Sequence, residues 1–272
     1  MERIKSYLSS RNAQERESAI LWLTSFGIQS VVNLKPSEDL FPMAIRHIEG
    51  TTNISRTRED IQDFYHIQHQ NNGGHHHRGE EADKVASRIV EYLITGDFEL
   101  STEGFCRAHR HMFKGLYHNS GKFRESVASK KEWVLGNTAV TYPRHEEIRS
   151  RLDYLFELER KTDLQSISQY HKIRHLSEFI AKLFVTNAFQ YANSRVAFVY
   201  SLKYLMSLGY TLRNDTFFRE AWYFRNAIIR ASYTNMHQGI YPTTEYMEMF
   251  LRNLFLDEDN ELRNHRMVIR GE

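Results

Sequence analysis

The 272-residue chain carries 36 Lys and Arg against 34 Asp and Glu, with 41% hydrophobic and 13% aromatic residues. Such a composition suits one large or two modest soluble domains, and its near-neutral balance argues against a broad nucleic-acid surface. Only 13 Gly and 4 Pro disfavour an all-β chain, and a lone cysteine, Cys106, rules out an internal disulfide.

The charged start, MERIKSYLSSRNAQERES, lacks the apolar stretch of a signal peptide. No apolar run approaches the roughly 18 residues of a membrane span, so a cytoplasmic protein with no membrane partner is expected. A short charged helix comes first, then the apolar AILWLTSFGI and a connection at Lys35-Pro36. Residues 41–50 read as a short helix closed by Gly50, which suits a left-handed C-cap. Residues 55–70 read as a helix, with Thr57 and Asp60 as capping candidates. The polar stretch 71–81 (NNGGHHHRGEE) reads as a loop. Its His75, His76 and His77, with Glu80 and Glu81, have the side chains of a metal site, but consecutive residues rarely converge on one ion.

Beyond this loop the chain is mainly α. Val85, Ile89 and Leu93 recur four apart over 83–95, with Gly96 as a stop signal. Further helices are expected over 105–117, 147–160, 168–187, 195–209, 215–230 and 243–255, without a solenoid period. One segment departs from this pattern: residues 132–142, EWVLGNTAVTY. Gly136-Asn137 at its centre tolerates positive φ and signals a tight β-hairpin. The edges of a lone hairpin are either packed on the body or used for strand addition.

The turn between the helices at 168–187 and 195–209 reads Asn187-Ala188-Phe189-Gln190-Tyr191-Ala192-Asn193-Ser194-Arg195. Asn193 or Ser194 suits the cap of the second helix. Arg195 then places a cation in the first turn, which is unfavourable unless an anion or an acidic partner sits there. This stretch resembles the loop of Fic-domain proteins, His-x-Phe-x-(Asp/Glu)-Gly-Asn-x-Arg, aligned on Phe189, Asn193 and Arg195. HRHMFKGLYHNSGKFRE (109–125) is similar to the family's segment before its flap, and KKEWVLGNTAVTYPRHEEI to the flap itself. The resemblance runs from about Glu49 to Asn264.

It implies a helical Fic-type fold with one β-hairpin flap, a domain over 51–272 with a C-terminal helical extension, and an N-terminal helical region over 1–50. It further implies transfer of AMP from ATP with magnesium to a hydroxyl of a target protein. Ala192, Asn193, Ser194 and Arg195 would shape the phosphate site, and Trp133, Val134, Leu135, Gly136, Asn137, Thr138, Ala139 and Val140 would dock the target.

The loop departs from the motif at its chemical centre. Asn187 stands at the position of the general-base His, and a carboxamide orients a hydroxyl without taking its proton. Tyr191 replaces the acidic magnesium ligand, and Ala192 replaces Gly. Glu49-Gly50 resembles the end of the family's inhibitory motif, but Ile45 stands at its Ser/Thr position and Phe198 replaces the arginine partner. His175, twelve residues before Asn187 on one helix, lies about 18 Å away and cannot substitute as base. Tyr65, Tyr117 and Tyr142 are candidate self-modification sites. Two readings follow: a catalytically impaired pseudoenzyme that binds a nucleotide or a protein at the flap, and an active transferase using ATP or another nucleotide.

Overall fold

The computed structural model describes residues 1–72, 78–96 and 98–269. Two helices, α2 (Ala13–Ser30) and α9 (Asn193–Ser207), have unbroken runs of buried residues, over 22–29 and 195–205, so each is enclosed on all sides there. Around them lie the amphipathic helices α1 (Glu2–Ser6), α3 (Leu40–Ile48), α4 (Ile54–Asn72), α5 (Arg78–Ile94), α6 (Thr102–Phe113), α7 (Ile148–Lys161), α8 (Gln169–Val185), α10 (Thr216–Ser232) and α11 (Glu245–Leu256). One apolar cluster joins α1–α5 through Trp22, Phe26, Phe41 and Ile61; the larger one spans α2 and α5–α11. Gly27 sets the approach of α2 to α10: a Cβ there would lie 2.4 Å from the Phe217 carbonyl oxygen. No described helix is long and apolar enough to cross a membrane.

Two local expectations are corrected. Helix α4 is capped by Asn53, whose Oδ1 accepts the Arg56 N–H at 2.8 Å, while Asp60 pairs with Arg46 and Thr57 donates to the Asn53 carbonyl. Helix α5 begins at Arg78, inside the expected loop, because Glu80 and Glu81 favour the positive end of a helix dipole. His75, His76 and His77 lie outside the described residues.

The hairpin exists, but its turn is wider than two residues. Strand β1 (Ser129–Glu132) pairs antiparallel with β2 (Thr138–Thr141), with Ser129 opposite Thr141 and Glu132 opposite Thr138. Trp133–Leu135 form a 3₁₀ turn, followed by Gly136 at φ 62° and Asn137 at φ 61°. Val134 and Leu135 are the cause: both are buried in the core, so the chain dips inward before it turns back. The Val134 carbonyl is fixed there by the Ile269 N–H at 2.9 Å.

Candidate functional site

Asn187 leaves α8 with φ 44° and Ala192 enters α9 with φ 60°, so two left-handed residues bend the motif loop. Ala192 adopts at a steric cost a conformation that glycine adopts freely. Asn193 locks the loop from within: its Oδ1 accepts the Phe189 N–H at 2.8 Å and its Nδ2 donates to the Phe189 carbonyl at 2.6 Å. Neither Asn193 nor Ser194 therefore caps α9; Ala192 holds the N-cap position and makes no side-chain bond there. The first-turn amides are left for water or an anion.

A second set of groups holds the loop from outside. Phe189 bridges Phe123, and the Arg124 N–H donates to the Ala188 carbonyl at 2.9 Å. The Arg124 side chain donates through Nε to the Asn187 carbonyl at 2.7 Å and through Nη1 and Nη2 to the Ser126 and Pro143 carbonyls. It thus ties the loop to both ends of the flap. The Asn187 carboxamide makes no hydrogen bond among the described residues, whereas its backbone is held firmly.

Arg195 is 4% exposed. Its Nη2 contacts Glu81 at 2.8 Å and the Tyr117 hydroxyl at 3.0 Å, and its guanidinium lies 4.8 Å from the centre of the Phe113 ring. Tyr117 also donates to Glu81 at 2.6 Å, and the Tyr191 ring packs on the Tyr117 ring at 5.1 Å. Arg195 Nε and Nη1 have no protein partner among the described residues. Burial without acceptors is costly for a guanidinium, so a small anion would satisfy what the protein does not. The sequence marked Glu81 only beside the histidine run, not as a partner of Arg195.

His109 is the other residue that the sequence did not connect to the loop. Its ring stacks on Phe189 at 4.0 Å, its Nδ1 accepts the Gly121 N–H at 2.8 Å, and its Nε2 lies 3.2 Å from the Tyr191 carbonyl. An accepting Nδ1 forces the proton onto Nε2, which donates to Tyr191. Burial is the main cause that pushes His109 down to about 4; Arg195 adds to it and the Tyr191 carbonyl opposes it. The ring is neutral, has no free lone pair, and cannot act as the missing base.

This creates a pH dependence. The folded state holds His109 near 4 while the unfolded chain has its ordinary 6.5, so the unfolded state binds the extra proton. The contribution is fully present above pH 6.5 and is lost as pH falls toward 4, for a total of roughly 3 kcal/mol. Denaturant unfolding across that window should show this loss, and His109→Gln should flatten the slope. An equal slope in the variant would reject the assignment.

The donors around the loop do not fit magnesium. Tyr191 offers a neutral phenol that is 48% exposed, the nearby Glu81 is taken by Arg195 and Tyr117, and no cluster of three carboxylate, His or Cys residues occurs among the described residues. Glu49 pairs with Arg3 at 2.7 Å and accepts from Tyr7; the Tyr7 hydrogen bond, then Arg3, holds its carboxyl below the usual range. Phe198, at the position of the expected arginine partner, is a core ring against Phe184, Phe217 and Phe224. Tyr65 and Tyr142 are buried, and Tyr65 donates to Asp83.

On the flap, Val127 and Trp133 are exposed at 75% and 43%, and Gly136, Asn137 and Ala139 are also exposed. Thr138 and Val140 are half-buried, while Val134 and Leu135 present no surface to a partner. Glu132 closes β1 in a buried pair with Arg225 of α10, whose Nη2 reaches both carboxylate oxygens at 2.8 and 2.7 Å.

Solved structures share this arrangement of helices at the level of the fold. A Fic family protein from Desulfovibrio desulfuricans G20 superposes with a TM-score of 0.59 over 94% of this chain and 70% of that one, at 12% identity. The chain has a Fic-type fold. The N-terminal FIC domain of Bep8, a VirB-translocated effector protein from Bartonella sp. 1-1C, gives 0.53 over 68% of this chain and 88% of that one, at 13% identity. No protein-family model and no curated protein matches the sequence. At these identities the likeness is one of Fic architecture: mainly helical, with a two-stranded flap.

Proposed function

We propose that this Fic-fold protein is a pseudoenzyme that binds a partner at the flap and an anion at the motif loop, without transferring a nucleotide. One observation carries the reading: among the described residues, no group at the loop is free to take a proton. Asn187 has no basicity, and His109 uses both ring nitrogens in hydrogen bonds. Loss of a general base alone costs about 10²–10⁴-fold in rate. The unsuited magnesium donors add to that loss.

Binding is supported by different features. Arg195 keeps two buried donors without partners among the described residues, beside the uncapped start of α9, which suits a nucleotide phosphate. Glu81 already holds Nη2, so a phosphate competes with that carboxylate. Exposed Val127 and Trp133 beside two short strands suit an extended protein segment.

Calorimetric titration of ATP, with and without magnesium, tests the anion site. Weak saturable binding should occur in the wild type, vanish in Arg195→Ala and strengthen in Glu81→Gln, with little effect of magnesium. A parallel assay with ATP labelled at the α-phosphate should show no label on protein. Label transfer that Arg195→Ala abolishes would establish the transferase reading instead.

A further inference from the structure

Away from the motif loop, α4, α5 and α6 enclose a groove of about 880 Å³. Helical spacing puts Lys84 and Arg88 on one face of α5 and Arg107 and Arg110 on one face of α6, with Lys114 just past the end of α6 and Arg58 of α4 completing the wall. Six permanent cations line the groove and no carboxylate does. Three are neutralised from its margin: Arg58 by Glu91, Arg107 by Glu99 and Lys84 by Glu80. Arg88, Arg110 and Lys114 make no ion pair among the described residues, which leaves an excess of positive charge in one concave place on a chain of formal charge +2.

Among the described residues the Arg88 side chain bonds the Met112 and Lys114 carbonyls at the end of α6; burial first, then the neighbouring Arg58 charge, pushes its ionisation down, and Glu91 opposes them. Like charges around a concave surface focus the field and raise the local concentration of anions. Arginine-rich walls favour phosphate oxygens, which accept several charge-assisted hydrogen bonds at once. The volume lies within the range of small-molecule pockets, and the walls are three short helix faces rather than a continuous stripe. A compact ligand fits this shape better than an extended polyanion.

We propose that this groove is a second anion site that takes a compact oligophosphate, free or as the headgroup of a lipid. It shares no residue with the motif loop, whose Arg195 is turned to Glu81, Tyr117 and Phe113. Exposed Arg110 and Lys114 make no side-chain hydrogen bond or ion pair among the described residues, so they are the residues to change; Arg88 is avoided because it closes α6.

The experiment is a titration of tripolyphosphate, without metal, into the full chain, alongside flotation with vesicles carrying a phosphorylated inositol lipid. Saturable binding should weaken with added salt and fall by at least about tenfold in an Arg110→Glu, Lys114→Glu double variant. It should persist in Arg195→Ala, and circular dichroism should show both variants folded. Variant-sensitive binding to tripolyphosphate names a free oligophosphate as the source; the same sensitivity on vesicles alone names the headgroup. Three outcomes overturn the proposal: no binding to either probe at millimolar concentration, loss of binding in Arg195→Ala, or tighter variant-sensitive binding to a single-stranded RNA oligomer.

Discussion

Replacing Glu132 with Leu should destabilise the protein by about 3–5 kcal/mol, read as a lower denaturant midpoint, because it strands a buried charge. Glu132 and Arg225 are 2% and 4% exposed at their side chains, so neither keeps much of its hydration. Lys130 stands 3.8 Å from the same carboxylate. Removing Glu132 therefore leaves two cations facing one vanished anion, whereas Arg225→Met leaves a carboxylate that still has Lys130. The arginine variant should accordingly be the milder of the two. Joining both changes, Glu132→Leu with Arg225→Met, should restore most of the loss, since an apolar pair of matching volume needs no hydration. Equal losses in the two single variants, with no recovery in the double, would mean that packing around Trp222 and α10 dominates over charge. The pair also fixes the end of β1 on α10, so amide exchange across Thr138–Thr141 should accelerate in either single variant.

What the sequence revealed, and what it hid, follows from the range of each interaction. Periodicity located the helices because burial of one face repeats locally; both ends of α8 and of α9 fall within two residues of the expected spans. Gly50, Gly136 and Asn137 adopt the left-handed conformations that their residue types suggested. The hairpin's width was hidden because Val134 and Leu135 satisfy a strand pattern as well as a core one. The cap assignment failed for a similar reason: Asn193 has the right chemistry for a cap, but the Phe189 backbone competes for it. Nothing in the residue pattern linked Glu81, His109 and Arg124 to the loop, since each meets it across a long stretch of chain, as in the 82-residue separation between His109 and Tyr191. The Fic resemblance supplied the frame in which Asn187, Tyr191 and Ala192 became informative, and the geometry then supplied the neighbours that decide their chemistry.

Arg124→Ala should loosen the motif loop and the flap together, at a cost of about 2–4 kcal/mol in global stability. The residue is buried, and its guanidinium meets three carbonyls and no carboxylate among the described residues. Burial lowers its ionisation, so those carbonyl dipoles are what keep the charge tolerable. Hydrogen bonds from charged donors contribute about 1.5–3 kcal/mol each, but the Ser126 and Pro143 carbonyls lie near the surface and regain water, which limits the total. Arg124→Lys should recover little, because one ammonium cannot reach carbonyls that a planar fork reaches on three sides. Two readouts separate this anchor from an ordinary core residue. Amide exchange at Phe189 should rise along with proteolysis between Ser126 and Pro143, while exchange within α3 and α4 stays unchanged. Partner capture at the flap should fall even though no flap side chain has been altered. Loosening of the loop alone, with the flap still protected, would show that β1 and β2 are held by Glu132–Arg225 and Val134–Ile269 without help from Arg124.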